Sequence, residues 1–193
     1  YELAKRLFDV VFAIITGLIS LILYPVIILL VKVSSSGPIF YKQKRLGQAG
    51  KIFEMVKFRT MRKDAEKDTG AIWTVEDDPR ITKVGKFLRK TRLDELPQIW
   101  NILKGEMAFV GPRAERPEFY ELLQKNVPFY EERYLIKPGL TGWAQINFHY
   151  GSSVKDAAEK LKYDLYYIKN RSLLLDLGIV LKTIRISLKQ AGR

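Results

Sequence analysis

Residues 7–31 read LFDVVFAIITGLISLILYPVIILLV, an apolar run in which Asp9 is the one charged residue. About 20 apolar residues suffice to cross a bilayer, so the run is long enough to form a membrane helix. Its length argues against a buried core helix, and no small-residue cleavage site of a signal peptide follows it. The run therefore predicts that the N-terminal part of the chain enters a membrane.

The path of this segment through the membrane follows from two further features. Pro25, directly after Tyr24, removes a backbone hydrogen bond and favours a bend. Lys5 and Arg6 precede the apolar run and Lys32 follows it, and positive residues at both ends favour placing both ends in the cytoplasm. A re-entrant hairpin bent near Tyr24–Pro25 satisfies both features, although the residues alone also allow a straight pass.

The composition restricts the chemistry. The 193 residues include 33 Lys plus Arg and 21 Asp plus Glu, for a formal net charge of +12. This charge indicates an anionic partner, which could be nucleic acid, membrane headgroups or a phosphorylated substrate. The absence of cysteine excludes a disulfide scaffold, a thiolate metal site and a cysteine nucleophile, and a single histidine excludes a multi-His zinc site.

The remainder of the chain predicts an α+β domain, rich in helix, with one short β-hairpin. We divide the sequence into a membrane segment of residues 1–33 and a second domain of residues 34–193. Strands are predicted at 39–44 and 51–58, and 62–78 is predicted to be a mobile loop. Helices are predicted at 82–90, 95–103, 117–124, 128–135, 154–169 and 173–189.

The last predicted helix is amphipathic. Its apolar residues share one face, and they are Leu174, Leu177, Leu181, Ile184 and Leu188. Lys182, Arg185 and Lys189 could meet anionic headgroups if this helix lies at a membrane interface. An ordinary core helix with a solvated basic face fits the same pattern, so both interpretations stay open.

Residues 83–98, KVGKFLRKTRLDELPQ, contain the strongest candidate for chemistry. Asp94 occupies a plausible N-cap position, and simple capping would explain it. However, Arg89 and Arg92 are among the basic residues that surround it, which should keep the carboxylate ionised and attract phosphate. An ionised carboxylate can attack phosphorus, and the neighbouring Glu95 could hold a divalent cation or assist proton transfer.

Two later loops could bind phosphate or a nucleotide. Residues 109–113, FVGPR, place the guanidinium of Arg113 after a Gly-Pro turn, which suits bidentate phosphate contact. Residues 137–147, KPGLTGWAQIN, combine a tryptophan with the amides of Gln145 and Asn147, which could bind a nucleobase or a sugar. His149 by itself is more typical of a structural or surface residue than of a catalytic one.

Taken together, these segments resemble the bacterial sugar transferase family, the monotopic phosphoglycosyl transferases. The matching blocks are distributed through most of the chain, at residues 5–6, 36–40, 57–61, 78–80, 85–89, 93–98, 110–113, 138–143 and 163–167. Residues 164–176 look more like the larger members, so we expect the chain to be the catalytic portion of such a protein.

The resemblance implies transfer of a sugar-1-phosphate from a UDP-sugar to polyprenyl phosphate, with release of UMP, as the first membrane step of glycoconjugate or exopolysaccharide synthesis. It implies that Asp94 is the nucleophile of a covalent phosphosugar intermediate and that Asp94 and Glu95 hold Mg²⁺. The residues that it implies for phosphate or substrate binding are Arg59, Arg89, Arg113, Gln145, Asn147, His149, Asp164 and Asp176.

The resemblance also implies a re-entrant anchor bent at Pro25, interfacial amphipathic helices, and a monotopic protein on the cytoplasmic face of the bacterial inner membrane. Its partners would be the two substrates and membrane lipids, without nucleic acid, and it allows a homodimer. Two competing functions are a membrane-anchored basic module that tethers nucleic acid or a protein, and a transferase that joins both substrates in a ternary complex without a covalent step.

Overall fold

One long helix, α1 (Glu2–Ser34), forms the N-terminal part of the computed structural model, which describes residues 1–67, 70–73, 78–148 and 153–189. The helix continues through Pro25. Within these described ranges, α1 is the one helix that is long and apolar enough to cross a membrane. The predicted apolar helix is therefore confirmed, whereas the bend at Pro25 stays a prediction.

One face of α1 lies against the rest of the chain along the whole helix. Near its start, Arg6 donates hydrogen bonds to the carbonyl oxygens of Ile102 at 2.6 Å and Leu103 at 2.8 Å. Near its end, Val31 packs in one apolar cluster with Phe58. The buried residues recur at helical spacing, and they are Lys5, Asp9, Ala13, Ser20, Ile27 and Val31. The first and last turns of α1 thus contact the same domain.

Two small sheets complete the scaffold. Strands β1 (Phe40–Leu46) and β2 (Ile52–Phe58) pair antiparallel, which confirms the predicted hairpin. Strands β3 (Ala108–Val110) and β4 (Gly139–Thr141) pair in parallel, and both lie in segments that were predicted to be loops. A three-residue strand is too short to show a hydrophobic period, so only its tertiary pairing reveals it.

The predicted helices are confirmed with shifted ends, but two of them are divided and 128–135 is a 3₁₀ helix. Segment 95–103 consists of a 3₁₀ helix, Leu93–Gln98, and α3 (Ile99–Lys104), because Pro97 has no N–H to donate in a regular α-helix. Segment 117–124 likewise consists of a 3₁₀ helix followed by an α-helix. The other α-helices are α2 (Lys83–Lys90), α4 (Tyr120–Asn126), α5 (Trp143–Asn147), α6 (Val154–Asn170) and α7 (Leu173–Leu188). Further 3₁₀ helices are Gln48–Gly50, Pro117–Phe119 and Tyr130–Leu135.

The predicted loop at 62–78 contains no helix or strand in the parts of it that the structure describes. It is tied to the domain, because Arg116 donates to Glu66 at 2.7 Å and the ring of Trp73 packs on Phe119. Its predicted mobility stays a prediction.

The apolar stripe of α7 faces outwards. Leu174 is 81% exposed and Leu188 is 79% exposed, whereas Asp176, Ile179 and Val180 on the other side of the helix are buried. The interpretation of α7 as a core helix with its leucine stripe buried is therefore wrong. The stripe is left as an apolar surface.

Helix α2 approaches the backbone of Thr60 very closely at Gly85. A Cβ atom on Gly85 would lie 2.0 Å from the Thr60 carbonyl oxygen, so Gly85→Ala should lower the free energy of unfolding by about 1–3 kcal/mol. The matched control is Gly178→Ala in α7, where an added Cβ meets nothing within 4 Å and should stabilise the helix by up to about 1 kcal/mol. Thermal unfolding in detergent distinguishes the two, and equal effects would contradict the close packing.

Candidate active site

Asp94 and Glu95 lie next to each other in the first turn of the 3₁₀ helix Leu93–Gln98, and each is only 7% exposed. The N-cap of this helix is Arg92, which has a left-handed backbone with φ 58° and ψ 16°. The prediction that Asp94 is the N-cap is therefore wrong, because the turn at Arg92 starts the helix earlier. Asp94 is thus not engaged in capping.

Glu95 is surrounded by three cations. Its Oε1 accepts a hydrogen bond from Arg113 at 2.8 Å and lies 3.7 Å from the Lys57 ammonium, while Oε2 lies 3.7 Å from Arg92. Burial by itself would raise the pKa of Glu95, but Arg113, Lys57 and Arg92 together hold that pKa well below its usual range. Glu95 is therefore ionised at neutral pH and orients the cations around it.

The Asp94 carboxylate, in contrast, has no hydrogen bond or ion pair to any residue that the structure describes, and only burial and the charges of its neighbours shift its pKa. Burial and the neighbouring charge of Glu95 raise the pKa of Asp94 to about 6, against the opposing effect of Lys57, Arg89 and Arg113. A buried carboxylate without a partner is energetically costly, and such groups are typical of functional sites. Its oxygens are available to a ligand.

Lys57 is the functional candidate that the predicted site residues omitted. It lies in β2 on the same face of the strand as the buried Phe53 and Met55, because side chains two positions apart point to the same side. This alternation could have identified Lys57 as an inward-facing lysine. Burial lowers the pKa of Lys57 to about 8, although Glu95 acts in the opposite direction. Lys57 therefore supplies a positive charge to the carboxylate pair.

The two predicted phosphate-binding arginines at this site come from different elements. Arg89, in the last turn of α2, donates from Nε to the Thr60 hydroxyl at 2.9 Å and acts electrostatically on Asp94. Arg113 follows β3, and its side chain is 37% exposed while it contacts Glu95. The structure thus brings Arg89 and Arg113 together with the carboxylate pair.

Arg59 lies at the end of α1 instead. Its guanidinium donates to the carbonyl oxygens of Ser35 at 2.6 Å and Ser36 at 2.9 Å. It therefore fixes the point where the apolar helix joins the domain, and its predicted role in phosphate binding has no support from these contacts.

Asp164 and Asp176 are likewise engaged elsewhere. Asp164 pairs with Arg133 at 3.0 Å, and Asp176 accepts a hydrogen bond from the Tyr167 hydroxyl at 2.6 Å and lies 3.4 Å from Lys5. Both carboxylates are buried. The structure does not bring them to Asp94, and direct contact with substrate stays a prediction.

Gln145 and Asn147 lie in or near α5. Gln145 donates to the Leu140 carbonyl at 3.1 Å, and the Asn147 side chain accepts a hydrogen bond from Lys182 at 2.7 Å. The predicted His149 lies outside the described residues. The role of this segment in binding a base or a sugar stays a prediction.

The predicted membrane-flanking residues contact protein groups. Lys5 pairs with Asp9 at 2.5 Å, and Arg6 binds the end of α3 as described above. Tyr24, directly before Pro25, packs its ring on the end of β2. Lys5 and Arg6 therefore dock α1 on the domain, whatever further contact they make with headgroups.

The carboxylate pair also defines what the site can offer a metal ion. No group of three or more His, Asp or Glu residues suited to a metal occurs among the residues described. Mg²⁺ typically takes one or two carboxylates and completes its shell with water and substrate phosphates. Asp94 fits this pattern, because its oxygens have no partner among the described residues. Both oxygens of Glu95 face Arg113, Lys57 or Arg92, so its predicted part in holding Mg²⁺ stays a prediction.

Comparison with known proteins gives a consistent result. A family model described as bacterial sugar transferase matches residues 1–190. The chain is 41% identical over 192 residues to the UDP-N-acetylgalactosamine-undecaprenyl-phosphate N-acetylgalactosaminephosphotransferase of Aeromonas hydrophila, with 100% of this chain and 45% of that protein covered. It is 42% identical over 188 residues to the UDP-glucose:undecaprenyl-phosphate glucose-1-phosphate transferase of Escherichia coli K12, with 95% and 40% covered.

A third relative differs in length. The exopolysaccharide production protein PSS of Rhizobium leguminosarum bv. phaseoli is 39% identical over 188 residues, with 93% of this chain and 92% of that protein covered. The chain thus spans less than half the length of the first two relatives and almost all of the third. The matched region therefore occurs as less than half of some proteins and as almost the whole length of another.

The raised pKa of Asp94 predicts how stability changes with pH. A carboxyl titrates near about 4 in an unfolded chain, whereas Asp94 titrates at about 6 in the fold. The folded state therefore binds this proton more tightly, and the resulting stabilisation at low pH is lost as the pH rises through 6. Asp94→Asn should raise Tm at pH 7.5, and this gain should shrink towards pH 4.5.

The control for this prediction is Asp78→Asn. The hydrogen bond from Arg80 holds the pKa of Asp78 below its ordinary value, so this carboxylate stabilises the fold above its unfolded pKa. The Asn variant should therefore lower Tm at pH 7.5. Thermal unfolding of both variants across this pH range checks the prediction, and a lower Tm for Asp94→Asn at pH 7.5 would contradict it.

Proposed function

The chain belongs to the bacterial sugar transferase family, as its motifs predicted, and we propose that it transfers a sugar-1-phosphate from a UDP-sugar to polyprenyl phosphate. The relatives from Aeromonas and Escherichia carry the names of transferases that use undecaprenyl phosphate. The reaction would release UMP and be the first membrane step of glycoconjugate or exopolysaccharide synthesis, and the name of the Rhizobium relative supports the second of these.

The observation that carries this proposal is the state of Asp94. Its carboxylate is buried, has no partner in the described structure, and lies within the field of Lys57, Arg89 and Arg113. A pKa of about 6 leaves it mostly ionised at neutral pH, and a carboxylate without hydrogen bonds is a better nucleophile than a paired one. The cations beside it favour the approach of a phosphate.

In the proposed first step, an Asp94 oxygen attacks the phosphorus that carries the sugar. The bond between this phosphorus and the oxygen that bridges to the second phosphate breaks, and UMP leaves with the bonding electrons. In the second step, an oxygen of polyprenyl phosphate attacks the same phosphorus and displaces the Asp94 carboxylate. The product is a polyprenyl diphosphate sugar, and the enzyme returns to its initial state.

The surrounding residues supply positioning and charge. Arg113, held by Glu95 and partly exposed, can bind a donor phosphate, and Arg89 can stabilise the charge that develops on the leaving UMP. The positive charge of Lys57 offsets part of the energetic cost of burying the two carboxylates. Mg²⁺ held by Asp94, Glu95 and the diphosphate would supply further neutralisation of phosphate charge.

We propose a re-entrant anchor on the cytoplasmic face of the membrane, and the contacts of α1 support the placement of both ends of the helix on one side. A helix that crosses a bilayer places its ends on opposite sides of about 30 Å of hydrocarbon. Here Arg6 at the start and Val31 at the end both contact the same domain. The opposite side of α1 is apolar, with Leu7, Leu18, Ile22 and other large side chains exposed. A monotopic arrangement bent at Pro25 buries that side in lipid.

Helix α7 supports an interfacial position for the domain. Its exposed leucine stripe is accompanied by Lys182 and Arg185, the combination expected of a helix that lies in the headgroup layer. Polyprenyl phosphate carries its phosphate in this layer. We therefore propose that α7 and α1 hold the site where the lipid substrate is accessible.

The covalent step is tested by incubating the protein with a UDP-sugar alone and measuring its intact mass. UDP-glucose and UDP-N-acetylgalactosamine are the first donors to try. The wild-type chain should gain one sugar phosphate and release UMP, whereas Asp94→Asn should show no adduct and lose turnover by roughly 10³-fold or more. Glu54→Gln is the control, because Glu54 lies on the exposed face of β2, paired with Lys42.

Each alternative gives a different result in this experiment. UMP that appears only when polyprenyl phosphate is also present, without any adduct, would indicate a ternary-complex transferase. No UMP under any condition, with equal behaviour of Asp94→Asn and wild type, would indicate a binding module.

The membrane arrangement is tested with single cysteines, since the chain has none of its own. Leu3→Cys and Val33→Cys lie at exposed positions near the two ends of α1. In inverted membrane vesicles, a membrane-impermeant maleimide should label both positions from the cytoplasmic side and leave Ile22→Cys unlabelled. If one position is labelled only from the cytoplasmic side and the other only from the periplasmic or extracellular side, the helix spans the membrane.

A further inference from the structure

A buried ion pair lies close to the candidate active site without reaching Asp94. Asp164 in α6 is 3% exposed, Arg133 is 7% exposed, and their side chains are 3.0 Å apart. Replacing a buried ion pair by apolar side chains is often neutral or even stabilising. Stability therefore gives a poor account of this pair, and its other contacts are more informative.

The second contact of Arg133 is with the backbone of an active-site residue. The same Nη2 that binds Asp164 donates to the carbonyl oxygen of Arg113 at 2.9 Å. The other terminal nitrogen, Nη1, donates to the Tyr130 hydroxyl, and the guanidinium lies 4.9 Å from the centre of the Tyr130 ring. The carboxylate on its edge and the ring near its face fix the orientation of Arg133.

Hydrogen bonds hold the backbone around Arg113 in place. A small cavity of about 10 Å³ is lined by Pro112, Arg113, Arg133 and neighbouring residues. Beside this cavity, the carbonyl oxygen of Arg113 accepts a hydrogen bond from Arg133. The carbonyl oxygen of the preceding residue, Pro112, accepts one from the Gly139 N–H at 2.8 Å. The side chain of Arg113 then extends from this fixed backbone to Glu95.

From this chain of contacts we propose that Arg133, oriented by Asp164, is a positioning residue for Arg113. It sets the carbonyl of Arg113 and thereby the place where the Arg113 guanidinium meets the diphosphate of the donor. The proposal rests on the proposed transferase function. It assigns to Asp164 a role through Arg133 and Arg113 rather than contact with the substrate.

The test measures the KM for the UDP-sugar and kcat separately. Asp164→Asn and Arg133→Lys should each raise the donor KM about tenfold, because Arg113 is displaced, with a smaller change in kcat. The matched structural control is Leu161→Ala, one turn away in α6 and in the same apolar cluster as Tyr130. This control should lower Tm and leave the donor KM unchanged at temperatures where the protein is folded.

A double-mutant cycle with Arg113→Ala identifies the route of the effect. If Asp164 acts through Arg113, Asp164→Asn should cause no further rise in the donor KM once the Arg113 side chain is absent. An unchanged KM in Asp164→Asn and Arg133→Lys, or full additivity in the cycle, would overturn the proposal.

Should wild type release no UMP from any UDP-sugar, it is the proposed function that fails. Should Asp164→Asn not fold, Arg133→Lys carries the same cycle.

Discussion

Two adjacent carboxylates are buried in one turn of 3₁₀ helix, and their charge dictates how the surrounding side chains are arranged. Placing charge in a protein interior is costly unless opposite charge is supplied. Glu95 receives that charge from Arg113, Lys57 and Arg92. The Asp94 carboxylate receives only the field of Lys57, Arg89 and Arg113, with no hydrogen bond from the described residues. One carboxylate therefore organises the cations, and the oxygens of the other have no partner among the described residues.

The cations around this pair come from separate parts of the fold. Lys57 is placed by the hairpin, Arg92 by its left-handed turn, and Arg113 by the segment after β3, where it forms a parallel bridge to Gly139 of β4. Each depends on backbone geometry set by elements that are distant in sequence. The ion pair of Arg133 and Asp164 extends this support one layer further from the site.

The long apolar helix and the site are parts of one structure. Val31 of α1 packs with Phe58, the residue after Lys57, and Gly17 of α1 lies against Ile99, which follows the 3₁₀ helix that carries the carboxylates. The elements that hold the charged residues are thus the elements on which α1 is docked. The proposed lipid substrate would therefore reach a site whose supporting elements are docked on the apolar helix.

Features that are encoded locally follow from the amino-acid order alone: the apolar run, the hairpin, the approximate helices, the basic surroundings of Asp94 and the family. Periodicity, turn residues and motifs specify these over a few neighbouring positions. Which charges meet depends on the three-dimensional fold. It paired Glu95 with Lys57, assigned Asp164 to Arg133 away from Asp94, and joined two three-residue strands into a parallel sheet. Such contacts depend on the relative placement of distant segments. A contact between side chains that are far apart in the chain produces no periodic pattern in the sequence, so the sequence does not reveal it.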